Sequence, residues 1–462
     1  MTPYFDNGPV QLYHADARAM PLADGSISCV VTSPPYFGLR VYQDNDDRGI
    51  GLEASVEAYI ANLVDVFREV RRVLRDDGVC WVNLGDSYGR DPAKGQHKPG
   101  DSGKEAYVYD NGGGRASSTF GENGNRLGIP ERVVLALQAD GWTWRDTIIW
   151  AKKSAMPESL AGWRWERCRV KVACANQTRA KGTEAQEVGA FSGSDNRDMA
   201  AQWSDCPGCA KCSANNGLVL RKGSWRTTSS HEYIYMLTKG MGYYADGEAV
   251  RIAEKNPGAS AKQIAYQQSK RSGNEVRKGD LLVNDSIGTW RGNAEFGGGA
   301  NRRSVWNDIS PEPYGGAHFA TFPSDLPRIC IQASTSEAGC CSECGAQWAR
   351  VVSSPTGGST GQSWHNHQDD AESGNNKGSH GEGDFKTYEP AQTLGWRPTC
   401  RCGAKAVPAL VLDPFAGTAT TCLAAQRLGR RAVGVDLSEA YLEQAAKRLE
   451  AVPLPLGMTP HG

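Results

Sequence analysis

No apolar run in this chain approaches the roughly 20 residues that a membrane span requires. Residues 1–20 carry no secretory pattern, because Asp6, His14 and Asp16 interrupt every apolar stretch. These two absences predict a cytoplasmic chain with no membrane partner. An excess of one charge is also missing, since 51 Lys and Arg against 52 Asp and Glu leave a formal net charge of −1. No global field therefore attracts nucleic acid, and a nucleic-acid binder of this composition must gather its cations locally. Residues 161–230 do so, with eleven Lys/Arg against six Asp/Glu, although a solvated basic face is the ordinary meaning of such a run. Apolar content is modest at 39% and Gly is abundant at 54, a balance that long loops produce. There is no internal repeat.

The length of 462 residues permits two or three domains. Val10 to Tyr13 and Ile27 to Thr32 read as strands around a turn. Tyr59, Leu63, Val66, Val70, Val73 and Leu74 fall on one face of a helix over residues 55–75, with Ser55 able to cap its start and Gly78 to end it. Val79 to Leu84 follows as a buried strand, Glu131 to Ala139 as a helix ending near Gly141, and Trp144 to Ala151 as a strand. Near the end of the chain the order is strand (Ala409 to Asp413), helix (Thr421 to Leu428), strand (Arg431 to Asp436) and helix (Ala440 to Leu449). This alternation predicts an α/β fold, a doubly wound and mainly parallel sheet with helices on both faces. Residues 86–128, 175–200, 255–300 and 353–392 break the pattern and read as loops.

Two turns carry the chemistry. Asp413-Pro414-Phe415-Ala416-Gly417-Thr418 sits between a strand and a helix, where Gly417 lets backbone approach a ligand closely. Asp436 ends the next strand about twenty residues on, where a carboxylate accepts from ribose hydroxyls. Asp413 is a candidate neighbour for a positively charged sulfonium. Asp16, after the first N-terminal strand, suits a cofactor adenine amine and equally suits a plain surface turn. The second turn, Ser33-Pro34-Pro35-Tyr36, follows the apolar strand Ile27 to Thr32. An exocyclic amine is a poor nucleophile because its lone pair is delocalised into the ring. Acceptors for its hydrogens, here the Ser33 hydroxyl and the Pro34 carbonyl, shift the nitrogen toward sp³ and free that pair. Pro34 and Pro35 stiffen the turn, and Tyr36 offers a face on which an extruded base can stack. Together the turns suggest methyl transfer from S-adenosylmethionine to the exocyclic amine of a DNA base.

With these motifs the chain resembles the DNA amino-methyltransferases that modify cytosine at N4 or adenine at N6, in the beta order of motifs. Three further segments carry the resemblance: Val10 to Asp16, Ser230 to Ile234, and His318-Phe319-Ala320-Thr321-Phe322-Pro323. The resemblance covers roughly residues 8–90, 130–155, 225–245, 303–335 and 407–450. It implies that His318, Phe319, Thr321 and Pro323 join Pro414, Phe415, Gly417 and Thr418 at the cofactor. It also implies double-stranded DNA as the partner and base flipping; no nuclease motif stands out, so the chain reads as a stand-alone modification enzyme, and a cognate restriction endonuclease stays open. Ser in the first position of Ser-Pro-Pro-Tyr favours cytosine N4, whereas Asp or Asn is more frequent in the adenine enzymes. Adenine N6 stays open, as do RNA or protein methylation and an inert zinc-bearing DNA-binding protein on the same fold.

Fourteen cysteines in a reducing compartment point to metal or isolated thiols. Cys206, Cys209 and Cys212 have knuckle spacing, with Cys168 or Cys174 as the fourth ligand and Cys168 preferred. Cys341-Ser-Glu-Cys344 and Cys400-Arg-Cys402 read as a zinc ribbon, in which Cys340 competes with Cys341 and loop residues His365 and His367 are alternative ligands. Both sites read as structural zinc; an iron–sulfur cluster fits the spacing less well. Cys29, Cys80, Cys330 and Cys422 lie in apolar segments and read as buried and inert. Trp163, Trp165, Trp225 and the Arg and Lys around them fall where target recognition belongs, but each Trp is expected to pack in a core. His231 and Glu232 are expected to support the site structurally. The expected division is 1–155 catalytic half, 156–305 target-recognition insertion, 306–335 return segment, 336–404 ribbon and 405–462 cofactor half.

Overall fold

The computed structural model describes residues 1–38, 49–51, 53–89, 124–153, 161–172, 202–252, 301–309, 322–353 and 392–453. The chain divides into two compact units, one of Met1–Lys153 with His231–Gly462 and one of Ser154–Ser230. The larger unit is built on a nine-stranded sheet. In chain order its strands are β1 (Phe5–Asp6), β2 (Val10–His14), β3 (Ile27–Thr32), β4 (Leu74–Leu84), β5 (Thr143–Ala151), β6 (His231–Thr238), β7 (Val305–Trp306), β8 (Leu410–Asp413) and β9 (Arg431–Asp436). In space they lie in the order β1-β2-β9-β8-β3-β4-β6-β5-β7. The run from β2 through β9, β8 and β3 to β4 is parallel throughout. β6 runs antiparallel between β4 and β5, so the sheet is mixed at this end.

Burial explains the strand sequences. All six residues of β3 are buried, the continuous apolar run expected of a parallel strand covered on both faces. Helices α1 (Val56–Val73) and α2 (Ile129–Ala139) cover one face, through a core that includes Tyr59, Leu63, Phe67, Val133 and Leu137. Helices α3 (Asp325–Ser334), α4 (Thr420–Arg427) and α5 (Glu439–Glu450) cover the other, through Leu326, Ile329, Leu423 and Leu442. The Ser55 hydroxyl caps α1 by accepting from Ala58 N–H at 3.1 Å. The helix ends at Val73 and β4 begins at once with Leu74, so Gly78 lies inside the strand and does not end the helix as the sequence predicts. Gly78 is there for space, because a Cβ would stand 2.5 Å from the Leu74 side chain.

β6 and α3 are elements that the apolar periodicity did not single out. β6 also divides the expected insertion of residues 156–305: Ser154–Ser230 forms its own unit, while His231–Thr238 belongs to the sheet. The four expected loop stretches fall largely outside the described residues. Among the described residues, no helix is long and apolar enough to cross a membrane.

Candidate active site

Connections from β8 and β3 leave in opposite directions. β8 passes through α4 to β9 on one side, and β3 passes through α1 to β4 on the other. Two adjacent parallel strands with diverging connections form a crevice at their carboxyl ends, the place where ligands bind in open α/β sheets. The two sequence turns occupy this crevice. Ser33 to Tyr36 leaves β3, residues 413–419 leave β8, and the strands are direct neighbours, with Val411 opposite Cys29 and Leu412 opposite Val30. Thr32 Oγ1 donates to Asp413 Oδ1 at 2.7 Å and ties the turns together. Because β6 is reversed, its first residues His231 and Glu232 arrive at the same edge, as do Asn83 and Gly85 at the end of β4 and Lys152 after β5.

On the substrate side, Tyr36 is tightly held. Its hydroxyl donates to Glu232 Oε2 at 2.8 Å and accepts from Asn83 Nδ2 at 3.1 Å. Asn83 Nδ2 also lies 2.8 Å from Glu232 Oε2 and 3.4 Å from Ser33 Oγ. Lys152 Nζ binds Glu232 Oε1 and supplies its counter-charge. Burial, then the Glu232 carboxylate, pushes the Tyr36 phenol well above its ordinary range, so it stays protonated and donates. Gly85 makes room for the ring, because a Cβ there would stand 2.9 Å from Tyr36 Cε2. Tyr59 Oη donates to the Pro35 carbonyl at 2.8 Å and fixes the turn from α1. Asn83 and Gly85 were not among the sequence candidates. Nothing local marks an Asn inside an apolar strand; only the tertiary position of Glu232 reveals its part.

On the cofactor side, Gly417 (φ 50°) and Ala419 (φ 60°) both take the left-handed conformation that begins α4. For alanine this is strained, and only the tight fit of the turn holds it there. Gly417 N–H donates to Asp436 Oδ2 at 2.7 Å and Ser438 N–H to Asp436 Oδ1 at 2.9 Å. Gly434 lets β9 approach this turn, since a Cβ would come within 2.9 Å of Ala416 Cβ. Asp413 is buried, accepts from Thr32 and from Phe415 N–H at 3.1 Å, and has its carboxyl pushed up to about 6 by desolvation against these hydrogen bonds. Thr418 is buried in the turn, and its carbonyl accepts from Arg448 Nη1 at 3.1 Å. Asp16 holds Arg18 in a two-pronged ion pair, with Nη2 to Oδ2 at 2.8 Å. Pro323 precedes α3 and accepts from Leu326 N–H at 3.1 Å through its carbonyl. His318, Phe319 and Thr321 lie outside the described residues. The donor set fits an adenosyl sulfonium. Asp436 stands at the end of β9 against the Gly417 turn, and the buried Asp413 carboxylate stands beside the same left-handed turn.

Both cysteine quartets assemble. The Sγ atoms of Cys168, Cys206, Cys209 and Cys212 lie within 4.8 Å of one another, as do those of Cys341, Cys344, Cys400 and Cys402. In the first quartet, Cys209 Sγ is 3.8 Å from that of Cys168 and 3.7 Å from that of Cys212. A tetrahedron with zinc–sulfur bonds of about 2.3 Å has edges of about 3.8 Å, so the thiols fit this metal. Cys340 faces the Val407 carbonyl at 3.5 Å instead of joining the second quartet. His365, His367 and Cys174 lie outside the described residues. Cys29, Cys80, Cys330 and Cys422 are buried, with thiols that desolvation pushes upward. Trp163, Trp165 and Trp225 correct an expectation. They are not in a core but 68%, 54% and 73% exposed, on and beside a strand pair of only two strands.

Comparison with known proteins identifies the family. The family model described as DNA methylase, for the N6 and N4 enzymes, matches residues 27–342 and 346–447. Type II methyltransferase M.Cfr9I of Citrobacter freundii is 32% identical over 328 residues, covering 70% of this chain and 72% of that protein. Type II methyltransferase M.SmaI of Serratia marcescens is 28% identical over 422 residues, covering 91% of this chain and 83% of that protein. Among solved structures, the cytosine-N4-specific PvuII DNA methyltransferase aligns with a TM-score of 0.43 at 12% identity, covering 99% of this chain and 91% of that one. The left-handed turn after β8, the Ser-Pro-Pro-Tyr turn after β3 and the family match converge, and the chain belongs to the N6/N4 DNA methylase family as an S-adenosylmethionine-dependent DNA methyltransferase.

Proposed function

We propose that the enzyme methylates cytosine at N4 in a base flipped out of duplex DNA, at the crevice between β3 and β8. One observation carries this reading: the Ser33 to Tyr36 turn and the residue 413–419 turn leave neighbouring strands at one edge and are joined by the Thr32–Asp413 hydrogen bond. S-adenosylmethionine supplies the activated methyl group. Residues 413–419 and Asp436 hold its adenosyl and ribose parts, with Asp16 and Pro323 at the margin of that site. Tyr36 stacks on the extruded base, in an orientation that Glu232 and Asn83 set. Ser33 Oγ and the Pro34 carbonyl accept the amine hydrogens, which localises the nitrogen lone pair for in-line attack. The turn is already built before substrate arrives, so little reorganisation opposes the transfer. Ser33 supports cytosine over adenine, because it presents a neutral hydroxyl where the adenine enzymes more often place Asp or Asn.

Both cysteine quartets hold structural zinc on this reading, since four thiolates leave no open position for water. Ser154–Ser230 reads the target, a cognate restriction endonuclease accompanies the enzyme, and both work in the cytoplasm beside the DNA. Replacing Ser33 or Tyr36 by Ala tests the site. Methyl incorporation into DNA should fall by at least a hundredfold while S-adenosylmethionine affinity is kept. Wild-type incorporation in both variants would remove the assignment.

A further inference from the structure

The unit Ser154–Ser230 carries two antiparallel strand pairs beside its cysteine quartet. Arg164–Arg167 pairs with Leu218–Arg221, and Arg169–Val172 pairs with Gln202–Asp205. The first pair continues beyond its strands. Gly162 N–H donates to Ser224 O at 3.1 Å, and a Cβ on Gly223 would meet Gly162 O at 2.8 Å. This close approach of two backbones puts Trp163 and Trp225 at the same end of one ribbon. Trp165 lies further along it, on one face with Leu220 and Arg167, and Leu220 is itself 37% exposed.

Tryptophan is among the more buried residue types on average, and apolar side chains exposed side by side mark an interaction surface. The surrounding charge says with what. Residues 161–172 and 202–230 hold eight Lys/Arg against two Asp/Glu, in a chain whose net charge is −1. The Lys222 ammonium stands 4.9 Å from the Trp163 ring centre. Glu166 binds Arg164 and, at 3.3 Å, Arg221. All three lie on the face opposite Trp165, so the acid does not offset Arg167.

We infer that this ribbon is a duplex-DNA contact surface, in which Trp163, Trp165 and Trp225 pack on base edges and sugars while Arg167 and Lys222 neutralise phosphates. A two-stranded ribbon is of the size that the B-DNA major groove admits, and apolar side chains beside cations suit the base edges and thymine methyls of that groove next to the charged backbone. The inference rests on the chain's action on DNA and not on which base it methylates.

Fluorescence anisotropy tests it with the full chain and labelled duplexes cut from unmethylated plasmid DNA, over a series of salt concentrations. Trp163→Ala with Trp225→Ala should weaken binding about tenfold at every salt concentration, with the salt slope unchanged. Arg167→Ala with Lys222→Ala should lower the slope by about two. Affinity for S-adenosylmethionine stays wild-type in both, and Trp163→Phe with Trp225→Phe recovers most of the DNA affinity. Wild-type DNA binding in both Ala pairs would overturn the inference. So would an altered sedimentation coefficient with unaltered DNA affinity, which would assign the face to protein contact. Methylation found on adenine would remove the cytosine reading and leave this surface standing.

Discussion

Thr32 Oγ1 donates to Asp413 Oδ1 at 2.7 Å, although 381 positions of chain separate the two residues. Both are buried, at 1% and 2% exposure. This bond closes the strand that leads into the Ser33 to Tyr36 turn onto the strand that leads into the residue 413–419 turn. Its acceptor is under tension, because burial raises the Asp413 carboxyl from 3.8 to about 6 while the Thr32 hydroxyl is among the groups pulling it back. A folded-state value above the unfolded one means that the fold favours the protonated form. The contribution of Asp413 to stability is therefore full below about pH 4 and is lost as pH rises through about 6. Asp413→Asn keeps an oxygen acceptor and removes the charge. Its melting temperature relative to wild type should rise between pH 4 and pH 7, by an amount equivalent to at most about 3 kcal/mol. Parallel pH curves for the two proteins would refute this.

Glu232 holds the Tyr36 hydroxyl, and on the proposed reading it acts on the reaction through that contact. Glu232→Ala frees the ring, and turnover should drop ten- to a hundredfold while S-adenosylmethionine affinity holds. Tyr36→Phe should give a loss of similar size, and the double variant should lose no more than the worse single one, the non-additivity of two groups in one contact. Additive losses would place Glu232 elsewhere in the mechanism. Gly85→Ala, which pushes a methyl against Tyr36 Cε2, should mimic both.

Asp436 braces the turn through Gly417 N–H, and on the proposed reading its carboxylate faces the ribose of the cofactor. Asp436→Ala should weaken S-adenosylmethionine binding by at least tenfold in a calorimetric titration and leave duplex-DNA affinity within twofold. Unchanged cofactor binding would remove Asp436 from the site.

Metal analysis should find two zinc ions per chain, and the two should differ in consequence. The second quartet sits near the start of β4, at the end of the parallel strands opposite the one from which the Ser33 to Tyr36 turn leaves. Arg75 at the start of β4 donates to the Cys344 carbonyl at 2.7 Å, and Arg350 of the same ribbon pairs with buried Asp246 at 2.9 Å. Cys344→Ser should release one zinc and lower the melting temperature, with kcat per folded molecule unchanged. Cys209→Ser should release the other and weaken DNA binding without changing S-adenosylmethionine affinity. A single zinc that survives both substitutions would contradict this assignment.

Much of this was readable in the chain because the governing signals are local. An apolar run followed by Ser-Pro-Pro-Tyr, or by Asp-Pro-Phe-Ala-Gly-Thr, specifies a strand and the turn after it. The knuckle spacing likewise brings thiols together regardless of the remaining fold. Signals that depend on distant partners were not readable. β6 carries apolar residues on both faces, with Ile234 and Leu237 both buried, so it shows neither the alternation of a surface strand nor the spacing of a helix. Asn83 acquires its role only when β6 lies beside β4 and brings Glu232 to it. The tryptophans near position 165 were expected in a core because that is the usual fate of the residue. They sit instead on and beside a pair of only two strands, where they are more than half exposed.

The most direct test is mass spectrometry of nucleosides from DNA incubated with the enzyme and isotopically labelled S-adenosylmethionine. The label should appear in N4-methylcytosine and disappear when Ser33 or Tyr36 is replaced. Label in 5-methylcytosine, or label in N4-methylcytosine that persists without Ser33 and Tyr36, would contradict transfer to an exocyclic amine held at this turn.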